Sequence, residues 1–525
     1  MPVATVGGSR GAESPSARFN LATALVDSHV AAGRGDRPAI RSAGTTLTYA
    51  DVALAMNRAG NALRSLGIEP EQRVALLLHD SLEFVAAFLG AVKIGAIPVT
   101  LSTLLTSRDY EYHLTDSRAR VVVVDAALYP RIAEVGKDLR HLRRVVVAGP
   151  AAPAGTVSLA EIAAEASDQL DPEPTTADNM CFWQYSSGTT GAPKAVVHLQ
   201  ARAVTPAELH GRHVVGMTST DRVFSVAKLF FSYGLNNSLV IPLRHGATSI
   251  LVATRPEPQA VFATIATERP TVFYSVPTSY AALLAAAEEG AECDLSSVRV
   301  CISAGEALPK PVFERWKARF GLEILDGIGS TEIGYIAISN VAGRARPGTS
   351  GQVIPGYEAT VVDSTGASSR EDEIGDLMVR GPSTALGYWN NLTATKHAFR
   401  GEWIFTGDRY SVSAEGYYTY HGRSDDLLKV GGAWVSPLEV ESALLEHAAV
   451  LECAVVGRED AKGLVKPSAF VVLKRGSASD SLAEELRTFV KNRLAPYKYP
   501  RWIEFVPELP KTSTGKIQRF KLRSR

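Results

Sequence analysis

The chain has 525 residues, 46% hydrophobic and 21% charged, with 55 basic side chains balanced by 55 acidic ones. That length supports a large core and more than one domain, and zero formal charge gives no electrostatic case for nucleic acid or an anionic membrane as partner. The longest apolar stretch, 84–101, is interrupted by Gly90, Lys93, Gly95 and Pro98, so no membrane span is expected.

The first 17 residues are rich in Gly, Ser and Pro and predict a frayed end. They lack the basic-then-apolar order of a secretory signal. From about residue 39 to 340, apolar runs alternate with amphipathic stretches. Segments 73–78, 120–124, 180–185, 271–276 and 298–303 read as buried strands, and 311–320 reads as a helix. Such alternation predicts an α/β fold with parallel layers. From 348 to 420 short alternating strands, among them 358–362 and 377–380, predict a small β-rich unit. A boundary is expected near Ser424, giving domains 1–424 and 425–525, the second a small α+β unit. In that tail Ser436-Pro-Leu-Glu439 reads as a capping box with proline at the first helical position, opening a helix to His447. Strands at 450–456 and 468–473 follow, then a helix from Asp480 that ends before Pro496. Cys181, Cys293, Cys301 and Cys453 form no CxxC pair and have no His cluster beside them. Neither a disulfide framework nor a zinc site is expected, which suits the cytoplasm.

The densest chemical signal is Tyr185-Ser-Ser-Gly-Thr-Thr-Gly-Ala-Pro-Lys194. Gly188 and Gly191 have no Cβ to block an anion, and successive backbone N–H groups in such a loop make a concave anion site. Ser186, Ser187, Thr189 and Thr190 add hydroxyl donors, and Lys194 adds a cation. A nucleotide triphosphate is the first ligand to consider. The loop is not the G-x-x-x-x-G-K-[ST] type, because Pro193 precedes Lys194 and Ala195 follows it.

This loop resembles the nucleotide-binding loop of the acyl- and aryl-adenylating superfamily. Four further segments resemble that superfamily's later motifs, in the same order: Asp326-Gly-Ile-Gly-Ser-Thr-Glu332, Phe405-Thr-Gly-Asp408, Gly422-Arg-Ser-Asp-Asp-Leu-Leu-Lys-Val-Gly-Gly432 and Pro510-Lys-Thr-Ser-Thr-Gly-Lys-Ile-Gln-Arg519. The resemblance implies a large N-terminal AMP-binding domain of two layered α/β subdomains plus a small β-barrel-like unit. It also implies a small mobile α+β C-terminal domain with the catalytic lysine. The chemistry implied has two steps: a carboxylate is joined to AMP, then a thiol displaces the AMP. Both steps need charge neutralised and reactants held in line.

By that resemblance Lys516 bridges the carboxylate and the α-phosphate. On charge alone it would be one solvated cation among Lys511, Arg519, Lys521, Arg523 and Arg525. Glu332, beside Thr331, suits Mg²⁺, with Thr189 or Thr190 completing the sphere; the bland alternative is a carboxylate at a helix start. Asp408 resembles the ribose aspartate, and Arg423 is the second ribose or phosphate contact. Ala304, Gly305, Glu306, Asp326, Gly327 and Ile328 are implied to flank adenine, with Gly305 and Gly327 letting the ring lie on backbone. Asp425 matches the hinge about which the C-terminal domain turns. The turn would exchange Lys516 for a face with Lys429, Gly431 and Gly432 in the thioester step.

Lys228-Leu-Phe-Phe-Ser-Tyr-Gly-Leu235, Ser303-Ala-Gly-Glu-Ala-Leu-Pro309, the Asp326 motif and the Lys516 motif together resemble benzoate-CoA ligases over nearly the full length. That implies an aryl carboxylic acid, ATP, Mg²⁺ and coenzyme A as ligands; the chain is expected as a monomer or homodimer. The implied ring pocket uses Phe231, Ser232, Tyr233, Ser303, Gly329, Tyr335 and Ile336. Departures from the family are Ser232 in place of a small apolar residue, Tyr335 in place of histidine, and Ala195 in place of glycine. A buried hydroxyl needs a partner, so Ser232 and Tyr335 favour an amino- or hydroxybenzoate such as anthranilate, with benzoate close behind. The main alternative acceptor is a carrier-protein phosphopantetheine in trans, because no carrier domain is expected after Lys516. A non-catalytic nucleotide-binding protein or a luciferase-like oxidase is less consistent with the intact motifs.

Overall fold

The computed structural model describes residues 18–135, 139–186, 192–423, 426, 428–430, 433–460, 464–474, 478–495, 497–511 and 517–523, without the side chains of Lys429, Ala433 and Trp434. An eight-stranded sheet has the order Gly387–Tyr388, Lys194–Leu199, Met180–Ser186, Ile97–Thr100, Arg73–Leu77, Val121–Asp125, Arg144–Ala148, Val157–Ser158. Its strands from Met180–Ser186 to Val157–Ser158 run parallel, and Lys194–Leu199 returns antiparallel. Val121, Val122, Val123 and Val124 are all fully buried. A strand covered on both faces reads as an unbroken apolar run, which is why this one was visible in the sequence. The apolar stretch 84–101 divides into the helix Leu82–Lys93, capped by the Ser81 hydroxyl, and the strand Ile97–Thr100. Lys93 lies in the core because its ammonium meets Asp27 at 2.7 Å and the Asn57 side chain at 2.7 Å. Among the described residues no helix is long and apolar enough to cross a membrane.

A nine-stranded sheet has a parallel centre, Ile324–Gly329, Val300–Ser303, Val272–Ser275, Arg222–Ser225, Thr248–Leu251 and Pro38–Ser42, with antiparallel strands at both edges. In-register pairing places Ser275 beside Ser303, and Ser303 beside Asp326, at the carboxyl ends of three parallel strands. Ligands of open α/β sheets bind outside that end. The predicted β-rich unit is a five-stranded antiparallel sheet of Glu358–Val362, Gly375–Arg380, Phe399–Arg400, Trp403–Val412 and Tyr418–Arg423. No pairing among the described residues closes its edges into a barrel.

The tail forms the sheet Val450–Glu459, Val465–Leu473, Trp502–Phe505 with helices Pro437–Leu445 and Asp480–Lys491. Val440, Leu444, Val455, Val471, Leu486 and Val490 give it a core of its own. One local expectation fails there. Ser436 sits at the N-cap but makes no side-chain cap bond. Glu439 is held instead by the Lys498 ammonium at 2.6 and 2.7 Å, an ionic partner that outcompetes the backbone N–H. The helix stops at Leu445 rather than at His447, whose Nε2 pairs with Glu485 at 3.1 Å. All four cysteines are free thiols, three of them buried.

Candidate active site

A cleft of about 3250 Å³ opens between the carboxyl ends of the nine-stranded sheet, the strands of Ser186 and Lys194, and the C-terminal unit. Ser186, Lys194, Asp408, Arg423, Tyr335, Ile336 and the segments 231–233, 304–306 and 326–332 all line it. Distant stretches of sequence thus meet on one surface. Ser303 does not line it: it is fully buried behind the wall, so its expected contact with the ring is corrected here. Ser187, Gly188, Thr189, Thr190, Gly191, Asp425, Gly431, Gly432 and Lys516 lie outside the described residues, as does the Lys429 side chain.

Antiparallel register puts Ser186 opposite Lys194, so both ends of the Ser/Thr/Gly loop start from paired backbone. Glu332 lies in a turn, not at a helix start, which removes the helix-dipole explanation for its position. Its Oε1 accepts from the Ser186 hydroxyl at 2.9 Å and from the Tyr388 hydroxyl at 2.9 Å. The Lys194 ammonium stands 5.2 Å from the centre of the Tyr388 ring. Burial, and then the Glu332 carboxylate beside it, push the Tyr388 hydroxyl well above its ordinary pKa, so it stays a donor. Tyr388 was not among the expected site residues. It sits on a two-residue strand with no periodic signal, and only the aromatic pair Tyr388-Trp389 marks it in the sequence.

Asp408 and Arg423 are cross-strand partners. Arg423 Nη1 donates to Asp408 Oδ1 at 3.1 Å and to the Thr406 carbonyl at 3.1 Å. Burial works against the guanidinium charge, but Asp408 and Tyr420 outweigh it and hold Arg423 above its ordinary value. Asp326 is 5% exposed. The Leu308 N–H donates to its Oδ2 at 3.3 Å, and the Ser303 hydroxyl and the Gly327 N–H also lie against the carboxyl. Burial pushes this carboxyl up to about 8. A carboxyl on a cleft wall keeps lone pairs that suit the exocyclic amino group of a nucleobase. Gly327 has a packing reason of its own. A Cβ there would lie 2.7 Å from Ile336 and 2.8 Å from the Ile338 carbonyl, so its missing side chain serves strand packing.

The ring pocket is built on segment 228–233. Asp80 accepts from Leu229 N–H at 2.9 Å, and Thr100 donates to the Phe230 carbonyl at 3.0 Å, fixing this segment to the eight-stranded sheet. Phe230 is core, and Phe231 packs edge-on against it at 4.4 Å. The protons of the hydroxyls offered to a ring substituent are already committed. Ser232 Oγ donates to the Gly334 carbonyl at 3.2 Å. Tyr335 donates to Asn237 Oδ1, and Asn237 Nδ2 in turn reaches Ser225 Oγ at 3.2 Å. Tyr233 donates toward the Ser275 and Ile302 carbonyls at 3.2 and 3.3 Å. The polar pocket inferred from Ser232 and Tyr335 therefore loses its premise. Behind Tyr335, edge-to-face at 5.0 Å, lies His210, fully buried and pushed down to about 3 by burial, hence neutral.

Comparison with known proteins gives a consistent result. Residues 28–389 match the model of the AMP-binding enzyme family, and residues 439–516 match the AMP-binding enzyme C-terminal domain. The chain is 51% identical over 510 residues to the benzoate-CoA ligase of Thauera aromatica, covering 97% of this chain and 96% of that protein. The crystal structure of the anthranilate CoA ligase AuaEII in complex with anthranoyl-AMP superposes with a TM-score of 0.95 at 42% identity, over 98% of each chain. The benzoate CoA ligase from Burkholderia xenovorans LB400 gives 0.89 at 45% identity, covering 96% of this chain and 100% of that one.

Proposed function

The chain belongs to the benzoate-CoA ligase family of AMP-binding, adenylate-forming enzymes, and we propose that its preferred acid is unsubstituted benzoate. It is an ATP-dependent aryl-CoA ligase that works through an aroyl-AMP intermediate, with AMP and pyrophosphate as the other products. Transfer to a carrier protein is not the favoured reading.

The observation that supports benzoate is the internal bonding of Ser232, Tyr233 and Tyr335. Each hydroxyl proton at the pocket is committed to a protein oxygen. None of the three needs a ring substituent as its partner, and a ring amino or hydroxyl group could only donate to their remaining lone pairs. Where such a group does not align it is left desolvated, at roughly 1–3 kcal/mol or about one to two decades in kcat/KM. The flat apolar ring itself packs against Phe231 and Tyr233.

The residue roles form part of the same proposal. Lys194 and the loop from Ser186 to Gly191 grip the phosphates, and Asp408 with Arg423 holds the ribose. Asp326 Oδ1 accepts from the adenine amino group, between 304–306 and Ile328. The hard oxygens of Glu332 and its neighbouring hydroxyls fit Mg²⁺, which with Thr189 would neutralise phosphate charge. In the first step a carboxylate oxygen bonds to the α-phosphorus, and pyrophosphate leaves while Lys516 stabilises the added charge. In the second step the thiol gives up its proton and its sulfur bonds to the carbonyl carbon, releasing AMP. Domains 1–424 and 425–525 turn about Asp425 between the two steps, bringing Lys429, Gly431 and Gly432 to the site. The four free thiols suit a reducing cytoplasm, and the mass in solution separates monomer from homodimer.

The test is kcat/KM for thioester formation with benzoate, the three aminobenzoates and the three hydroxybenzoates. Benzoate is expected to lead each substituted acid by about tenfold or more. Any amino- or hydroxybenzoate exceeding benzoate overturns the assignment.

A further inference from the structure

We propose that Tyr388 is a positioning residue for adenylation: its hydroxyl fixes one oxygen of Glu332 and leaves the other for the phosphate-bound metal, while its ring seats the Lys194 ammonium. The inference rests on the assignment of Glu332 to Mg²⁺ made above. It deepens that assignment by naming the residue that orients both charged groups.

Segment 385–389 stitches two separate parts of the site together. At one end the Ala385 N–H donates to the Glu332 carbonyl at 2.8 Å. Along its length Leu386 N–H donates to the Val197 carbonyl at 2.8 Å and Trp389 N–H to the Ala195 carbonyl at 2.9 Å. Tyr388 is thereby paired with Val196, two residues beyond Lys194 on the same strand. The segment is itself clamped. Tyr388 N–H donates to Thr395 Oγ1 at 3.0 Å, and Trp389 Nε1–H donates to the Asp116 carbonyl at 3.1 Å.

A ring projected from this backbone has little freedom. Phe399 meets it edge-on at 5.4 Å and 85°. On the cleft side its hydroxyl reaches Glu332 Oε1 and its face meets the Lys194 ammonium. Both donors to Glu332, Ser186 and Tyr388, bond the same oxygen. Outer partners of a metal-binding carboxylate set its orientation, and removing one typically lowers metal affinity by roughly 10–100-fold. A ring face near an ammonium holds it by cation–π attraction. Phenylalanine could supply the second contact but not the first, so tyrosine is the residue that serves both.

The test uses the full chain, with ATP alone as probe and no acid present. ATP binding is titrated calorimetrically in saturating Mg²⁺ and in EDTA. Tyr388→Phe is expected to lose about tenfold of the gain in affinity that Mg²⁺ confers, with binding in EDTA unchanged. Tyr388→Leu, which also removes the ring, is expected to weaken binding in EDTA as well. Transfer of benzoyl from supplied benzoyl-AMP to CoA needs no new metal-assisted bond and should keep its rate in Tyr388→Phe. A wild-type magnesium gain in Tyr388→Phe overturns the proposal. So does a fall in both half-reactions together with a lower melting temperature, which assigns Tyr388 to packing alone. Glu332→Gln in the same titration separates the two layers. If it keeps the gain, the metal assignment fails and takes this inference with it. If it loses the gain while Tyr388→Phe keeps it, only the role of Tyr388 fails.

Discussion

Replacing Tyr335 with phenylalanine removes one oxygen and should lower stability while leaving acid preference in place. Tyr335 is 3% exposed and its hydroxyl bonds to Asn237 Oδ1, while Asn237 is itself fully buried. The ring can keep its packing against Tyr233, at 6.1 Å and nearly parallel, and against His210. What changes is that Asn237 Oδ1 loses its donor in a place water does not reach. The amide keeps its Nδ2 bond to Ser225, so the loss is one acceptor. A buried acceptor left unpaired costs roughly 1–3 kcal/mol. The urea midpoint of Tyr335→Phe should therefore fall, with an unchanged slope. Asn237 does not line the cleft, whereas the Tyr335 ring does, so the wall met by the acid is kept. The kcat/KM ratios between benzoate and the hydroxy- and aminobenzoates should therefore stay within about threefold of the wild-type ratios. An unchanged urea midpoint would show that the Tyr335–Asn237 bond carries no stability, and would refute the reasoning.

Lys516→Ala should slow adenylation by roughly 10²–10³-fold yet leave transfer from supplied benzoyl-AMP to CoA largely intact; equal losses in both half-reactions, measured separately, would count against its role. Asp408→Ala removes the acceptor opposite Arg423, and the KM for ATP should rise by about tenfold while the KM for benzoate stays the same. Asp326 has its folded pKa raised by burial to about 8, above the ordinary carboxylate value. Its neutral form is thus favoured in the folded state, and its contribution is fully present below about pH 4 and lost as the pH rises toward 8. Across that window the wild type should lose stability relative to Asp326→Asn, by at most about 1.4 kcal/mol per pH unit. Urea midpoints at several pH values check this, and a constant difference between the two proteins would contradict it.

The nucleotide end of the candidate site could be proposed from the sequence because its residues are contiguous. The loop at 185–194 and the segment 326–332 each carry several functional groups within a few positions. The buried strands were legible for a related reason, since Val121–Asp125 is apolar on both faces. The ring pocket was harder. Ser232 and Tyr335 were identified, but hydrogen-bond satisfaction depends on Gly334 and Asn237, and Asn237 lies in a different segment from Tyr335. Ser303 is the last residue of the strand Val300–Ser303, so motif position alone could not tell wall from core. Tyr388 reaches Glu332 across 56 positions, through a two-residue strand too short to leave a pattern. The Ser436 capping box failed because a distant cation, Lys498, took its Glu439. In each miss a long-range partner decided the outcome, and no local pattern in the sequence encodes it.

The most direct measurement of the ligase chemistry is a single-turnover experiment with ATP, Mg²⁺ and labelled benzoate, first without CoA and then with a CoA chase. The expected result is a burst of pyrophosphate matched by enzyme-bound benzoyl-AMP, which the chase converts to benzoyl-CoA with one AMP released per thioester. Formation of ADP, or a benzoyl-AMP that CoA leaves untouched while a phosphopantetheinyl carrier protein discharges it, would contradict the assignment.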